Sequence, residues 1–128
     1  MTSAWSAREW VNDIMNGTYA HMEIKINLAF KGTIPCMVFS SGLAIHNMVI
    51  TSGTRPDYWT VSHYKSGHAI VTRYFPSFAD ADNFRKEIEP LIDWNREAVD
   101  IIRAGREIGL SAEVSFIAGK HNAKNVVI

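Results

Sequence analysis

Residues 58–94 read YWTVSHYKSGHAIVTRYFPSFADADNFRKEIEPLIDW, which predicts a β-hairpin followed directly by an amphipathic helix. Both arms of the hairpin, residues 58–64 and 68–75, are rich in the aromatic and β-branched residues that favour strands. The tripeptide Lys65-Ser66-Gly67 suits a three-residue loop, because glycine can adopt the left-handed conformation that such a loop needs. This loop would pair Tyr64 with His68, and the pairing decides which side chains share a face.

The two faces of the hairpin differ in chemistry. The apolar face is expected to pack in the core and carries Trp59, Val61, Ala69, Val71 and Phe75. The opposite face carries phenols and hydroxyls on Tyr58, Thr60, Ser62, Tyr64, Thr72 and Tyr74. Strand propensity alone predicts such residues on a solvated face. Tyrosine also offers a large, rigid contact area for a protein or for stacked bases. We therefore expect an exposed phenol face behind an inward-facing tryptophan.

The helix after the hairpin has clear boundary signals. Ser77 is the expected N-cap, with Asp80 three residues later as a weak capping box. Pro90 cannot donate a helical hydrogen bond, so the helix should kink or restart there.

The rest of the chain predicts more strands and helices around this unit. Alternating or continuous apolar residues predict strands, and apolar stripes at helical spacing predict helices. The strands are expected at residues 21–30, 34–39, 43–51 and 111–117, and the helices at about 3–15 and about 94–108. Together they predict one α+β domain spanning residues 1–128. Its antiparallel meander would have about five to six strands, with helices packed on one face.

Composition limits the classes of function. The 128 residues carry 13 Lys and Arg against 13 Asp and Glu, and 47% are hydrophobic. Zero net charge argues against a strongly basic nucleic-acid binder, although a local basic patch would be compatible with it. The single cysteine, Cys36, cannot form an internal disulfide, and no apolar stretch reaches spanning length. We expect a cytoplasmic protein that does not enter a membrane.

Chemical motifs are sparse. The hairpin register would turn His63 and His68 to opposite faces, so no metal site is expected, and nothing indicates a cofactor. Cys36 and His46 could be a nucleophile and a base on adjacent strands, but a buried inert thiol is far more common. We therefore assign no catalytic residue. A small enzyme with His46 or His63 as base is kept as a second alternative.

Binding residues are sought on the phenol face and at the hairpin tip. The predicted set is Tyr58, Thr60, Tyr64, Lys65, Arg73 and Tyr74. Such a surface could dock on a protein. The first alternative is a single-stranded nucleic-acid binder that uses stacking on the same rings with nearby positive charge.

The run DYWTVSHYKSGHAIVTRYFPSFADADNFRKEIEPLIDW resembles a pattern of short accessory proteins from bacteriophages and mobile elements. In this pattern a W-x-V-x-H strand is followed by a Ser-Gly turn, a second strand and a helix that ends near a tryptophan. The resemblance covers about a third of the chain. It implies a non-enzymatic inhibitor or adaptor, similar to anti-CRISPR proteins, that occludes the surface of a host protein or ribonucleoprotein complex. A homodimer is also compatible, because one face of such a sheet could meet a second copy.

Overall fold

The computed structural model describes residues 17–25, 31–50 and 53–126. Four strands form an antiparallel meander in the order β1-β2-β3-β4. They are β1 (Gly17–Lys25), β2 (Lys31–Phe39), β3 (Leu43–Ile50) and β4 (Gly53–His63). Three helices follow: α1 (Phe78–Ile88), α2 (Ala98–Ile108) and α3 (Leu110–Lys120), with a 3₁₀ turn at Glu89–Leu91. The α+β class is confirmed, and the described part of the chain has four strands rather than five or six.

The helices pack against one face of the sheet. Helix α1 begins at the predicted cap, since the backbone N–H of Asp80 donates to Ser77 Oγ at 3.1 Å. The 3₁₀ turn carries Pro90, at the place where the helix was expected to restart. The main core lies between this face and the helices, and includes Met37, Phe39, Leu43, Ile45, Trp59, Val61, Phe75, Phe84, Ile88, Trp94, Leu110 and Val114.

The opposite face of the sheet is also buried. A second apolar cluster there combines Met22, Ile24, Ile34, Cys36 and Ala44. The sheet coils so far that the turn after β4 returns to β1: the phenol of Tyr64 donates to the carbonyl of His21 at 3.2 Å. Gly67 lies at φ +73°, and a Cβ there would meet the Glu23 carbonyl of β1. A larger residue would therefore clash as well as strain the backbone.

Proline explains why the sheet can coil. Strands β2 and β3 pair only at Met37 with Ile45 and at Val38 with Ala44. Pro35 lies just beyond this short ladder and still pairs with His21 of β1 on its other side. Because proline has no N–H to donate, β2 behaves as an edge there and can swing away from β3.

The predicted register between the two arms of the hairpin is wrong. Isolated bridges join Ser62 to Ala69 and Trp59 to Phe75, so the offset between the arms slips by three residues. A Tyr64–His68 pair would place Ser62 opposite Ile70 and Tyr58 opposite Tyr74, and these pairs do not form. The tryptophan face is nevertheless buried as predicted, with the exception of Ala69, which is exposed.

The predicted strand at residues 111–117 is also wrong, because these residues belong to α3. Gly109, at φ +67°, ends α2 and starts α3. The buried positions Leu110, Val114, Ile117 and Ala118 recur at helical spacing. Helix α2 begins at Ala98 instead of position 94. The helix expected at residues 3–15, the end of the first strand at residues 26–30 and the last position of the strand at 43–51 lie outside the described residues.

A buried arginine joins α1 to the sheet. The Arg85 side chain is only 2% exposed, and its guanidinium stacks on the Phe39 ring at 3.7 Å. It donates to Asp82 at 2.6 and 2.9 Å and to Glu89 at 2.7 Å. Ser41, in the turn after β2, donates to the same Glu89 carboxylate at 2.7 Å. Every polar group of this network thus has a charged or hydroxyl partner.

We expect Asp82→Asn to destabilise the protein by about 3 kcal/mol, because it leaves the buried Arg85 charge short of a carboxylate. Urea denaturation followed by circular dichroism measures the loss. Asp100→Asn is the matched control: its pair with Arg103 is exposed and 3.9 Å long, so the cost should stay below about 0.5 kcal/mol. Equal losses in both variants would contradict a structural role for the buried pair.

Candidate functional site: an apolar groove beside the hairpin turn

An open groove of about 1130 Å³ lies between the segment after β4 and helices α2 and α3. One wall is formed by the hairpin turn and residues 68–72, and the other by the two helices. The lining residues are His63, Ser66, His68, Ala69, Ile70, Thr72, Trp94, Ala98, Ile101, Ile102, Gly105, Arg106, Gly109, Leu110, Ser111, Ala112, Val114 and Ser115. Most of these contribute aliphatic or backbone surface, so the groove favours apolar ligands.

The His63 side chain connects the two walls. Its ring is 4% exposed, and Nε2 lies 2.9 Å from the Arg96 carbonyl, which precedes α2. Because a carbonyl oxygen only accepts, Nε2 carries the hydrogen. In the neutral ring Nδ1 is then the acceptor for the Ser66 hydroxyl at 2.7 Å. Ser66 Oγ also accepts the His68 N–H at 3.2 Å. A serine that lines the groove therefore donates to a buried, oriented imidazole.

Two other contacts fix the segments beside the groove. The indole Nε1 of Trp94 donates to the Ile88 carbonyl at 2.8 Å, which fixes the loop between α1 and α2. Lys65, at the hairpin tip, lies 3.4 Å from the Glu97 carboxylate at the N-cap of α2. The Lys65 and Glu97 side chains are both exposed, so this ion pair contributes little to stability.

Large apolar side chains are exposed along α2 and α3. Ile102 lines the groove with 55% of its surface exposed. Val99 and Ile108 of α2 and Phe116 of α3 are also exposed by more than half. Only Ile101 and Gly105 of helix α2 are buried, so Ile102 and Ile108 are left at the surface. A groove with exposed apolar side chains is typical of an interaction surface.

The expected phenol face is exposed only in part. Thr60 is 1% exposed and Tyr58 is 7% exposed, so the expectation that they point to solvent is wrong. Thr60 shares its side of β4 with Ser62, which pairs with Ala44 of the second apolar cluster. Both faces of the sheet are covered at this position. The Thr60 hydroxyl has no hydrogen-bond partner within the described chain.

The rings of Tyr58 and Tyr74 stack on each other. Their centroids are 3.7 Å apart with an interplanar angle of 4°, and the Arg55 guanidinium lies 4.3 Å from the Tyr58 ring centroid. Desolvation and the neighbouring Tyr58 raise the pKa of Tyr74. Tyr58 thus has a neighbour on its ring already, and Tyr74 is partly exposed. Nucleic-acid stacking on these rings stays a prediction, with less ring surface available to it than the sequence suggested.

The remaining predicted residues have partners within the chain. Tyr64 is bonded to His21, and Lys65 is paired with Glu97. Arg73 donates to the Ser115 carbonyl at 2.7 Å and to its hydroxyl at 3.1 Å. Ser115 lines the groove, so Arg73 lies near one of its walls. A binding role for these residues stays a prediction.

The histidine and cysteine considered as a catalytic pair are both buried. His46 Nδ1 donates to the Asn47 carbonyl at 2.7 Å, and Nε2 accepts from the Ser62 hydroxyl at 2.8 Å. Burial lowers the pKa of His46 to about 4 and raises the pKa of Cys36 to about 11. The acceptor nitrogen of His46 is already bonded to Ser62, and the raised pKa keeps Cys36 as a thiol. The structure therefore gives no support to a Cys36–His46 pair.

The described residues contain no group of three or more His, Cys, Asp or Glu side chains suited to a metal ion. No helix in the described part of the chain has the length and apolar composition needed to cross a bilayer. No protein-family model matches the chain, and no curated protein or solved structure matches it either.

Sequence reasoning missed the groove because α3 was read as a strand. With α3 as a helix, Leu110 and Val114 come to lie on one side beside α2. One signal in the sequence indicates an exposed apolar surface here. The apolar positions of residues 94–108 are spread over a wider part of the helix than one neighbouring element can bury. Ile101 and Ile102 are adjacent in sequence, so at most one of them can face the centre of the core.

The buried His46 predicts a pH dependence of stability. Its pKa falls from 6.5 in the unfolded chain to about 4 in the fold, so below pH 6.5 the unfolded chain binds a proton that the folded chain excludes. Stability should therefore fall as the pH drops from 6.5 to 4, and by about 2 kcal/mol between pH 7 and pH 5. Urea denaturation at both pH values should show this slope in the parent and in the exposed-site control His68→Gln. An equal slope in His46→Gln would contradict the assignment.

Proposed function

We propose that the protein is an interaction module that binds an apolar segment of a partner protein in the groove beside the hairpin turn. The observation that supports this most is the combination of an open, largely aliphatic groove with the exposed Ile102 in its wall. Apolar area of this kind is costly to leave in water, at about 25 cal/mol per Å², and a partner that covers it recovers that free energy.

The class of partner rests on the sequence pattern of residues 57–94. The resemblance to accessory proteins of phages and mobile elements implies a host protein or ribonucleoprotein complex, which the bound module would occlude sterically. Zero formal net charge is compatible with a partner recognised by apolar contact and local charge. The groove replaces the phenol face as the proposed contact surface, because Tyr58 and Thr60 are buried.

A photo-cross-linker placed at position 102 tests this proposal in a bacterial lysate. We expect one dominant cross-linked protein, displaced by excess unlabelled parent protein and not by an Ile102→Asp competitor. The matched control carries the cross-linker at the exposed Tyr19 of β1, outside the groove. Equal cross-linking from both positions, or equal competition by Ile102→Asp, would overturn the groove as the binding surface.

The Ser66–His63 pair favours a second candidate, a hydrolase that cleaves esters of apolar acids. Ser66 Oγ would form a bond to the acyl carbon while its proton passes to His63 Nδ1. The bond to the alcohol would then break, and the alkoxide would take that proton. Water would then bond to the acyl carbon and pass a proton to His63 Nδ1. The bond from that carbon to Ser66 Oγ would break, Ser66 would take the proton back, and the acid would leave. The Arg96 carbonyl orients the imidazole in the manner of the third group of a catalytic triad.

A fluorophosphonate probe distinguishes this candidate from simple binding. If Ser66 is activated, intact-mass and peptide analysis should show the adduct on Ser66, and Ser66→Ala should abolish it. His63→Asn should slow labelling by about a hundredfold or more. Ser111 and Ser115 line the same groove and are internal controls. No adduct on Ser66, or equal labelling of these two serines, would remove the candidate.

A further inference from the structure

Among the described residues that line the groove, one side chain is permanently charged, and it is positive. This residue is Arg106, and none of the described lining residues is Asp or Glu. Most other arginines of the described chain are engaged: Arg85 with Asp82, Arg103 with Asp100, Arg55 with Asp57 and Arg73 with Ser115. The Arg96 side chain also has no partner among the described residues, but it does not line the groove. Arg106 is exposed and has no hydrogen-bond or ion-pair partner in the residues that the structure describes. A ligand with an acidic group would therefore meet an unopposed cation at the apolar wall.

The dimensions of the groove suit a helix. Helix α2 has 11 residues, so this wall is about 16 Å long, which corresponds to about three helical turns of a ligand. Several lining residues are small, namely Ala69, Ala98, Gly105, Gly109 and Ala112, and small residues allow close approach of a partner. At Gly105 that space is already used within the chain, since a Cβ would lie 2.9 Å from Leu110. Ile102 stands beside Arg106, one helical turn away.

Strand addition is less compatible with the opposite wall. The segment between the bridges at Ala69 and Phe75 slips by three residues against β4 and forms bends instead of a regular edge. An extended peptide needs a row of aligned N–H and C=O groups to pair with. A helix needs only apolar contact along one stripe, which the groove offers.

We propose that the groove receives an amphipathic α-helix of a partner protein, with apolar residues at i, i+4 and i+7 against Ile102, Ile70 and the floor, and with a carboxylate facing Arg106. This inference rests on the proposed function and specifies its ligand. The carboxylate sets the direction and register of the helix, because the cation lies in the α2 wall alone.

A pair of synthetic helices tests the charge. Each is a stapled, fluorescein-labelled peptide of about 14 residues with leucines at i, i+4 and i+7, and they differ only by glutamate or lysine at one flanking position. Fluorescence anisotropy should show about tenfold tighter binding of the glutamate peptide to the parent protein. Arg106→Glu should reverse the preference. The matched control Arg103→Glu, which changes the same charge outside the groove, should keep it.

The outcomes separate this inference from the proposed function. A reversal with Arg106→Glu and none with Arg103→Glu supports the acidic helix. If Ile102→Asp fails to compete for partner cross-linking while neither peptide binds, or an extended peptide of the same composition binds better, the acidic helix is overturned and the groove proposal stands. If the peptides bind without a charge preference, the role of Arg106 is overturned. Self-association that excludes the peptides, measured by light scattering, would make a second copy the occupant and overturn the inference.

Discussion

The two hydrogen bonds of the His63 imidazole are the constraint on which the groove depends. One reaches Ser66 in the hairpin turn, and the other reaches the Arg96 carbonyl just before α2. These two walls are separated by 30 residues, from position 66 to position 96, and meet at a single buried ring. A buried ring with both nitrogens bonded is costly to disturb, since separating the walls leaves a polar atom of that ring unpaired. The spacing of the walls is thus set by a side chain with fixed geometry.

The coiling of the sheet decides which surfaces are left for function. With β2 and β3 joined by two residue pairs, the β1–β2 hairpin folds back until Gly67 touches the Glu23 carbonyl. The second face of the sheet then acquires its own apolar cluster and encloses Thr60, Ser62 and His46. An antiparallel sheet often has one solvent-exposed face, and the expectation of exposed phenols was based on this tendency. Here both faces are covered near β4, so exposed apolar surface remains mainly on the helical side.

Local signals predicted local structure well, and long-range geometry could not be obtained from them. The Ser77 cap, the interruption at Pro90 and the inward tryptophan face each depend on a few neighbouring residues, and each is confirmed, with Ala69 as the exception on that face. The strand predicted at residues 111–117 failed because Ala112, Val114 and Phe116 fit a two-residue period while Leu110, Val114 and Ile117 fit a helical one. The hairpin register failed because contacts of Tyr74 with Lys124 and of the turn with β1 compete with simple pairing. The groove lies between the two segments whose structure was predicted wrongly, so it could not be predicted from local patterns.

Two arginines on successive helices, Arg85 of α1 and Arg106 of α2, differ in how their charge is used. Arg85 is buried, flanked by Asp82 and Glu89 and stacked on Phe39, so its charge is fully used inside the fold. Arg106 is exposed beside an apolar wall, and none of the described residues pairs with it. A surface arginine gains little from an ion pair in water, but it gains more when a ligand desolvates it beside aliphatic groups. The free energy of the desolvated ion pair becomes available only when a ligand binds, and it depends on the sign of the ligand's charge. The same physics that makes Arg85 a structural residue therefore makes Arg106 a residue that can select a partner.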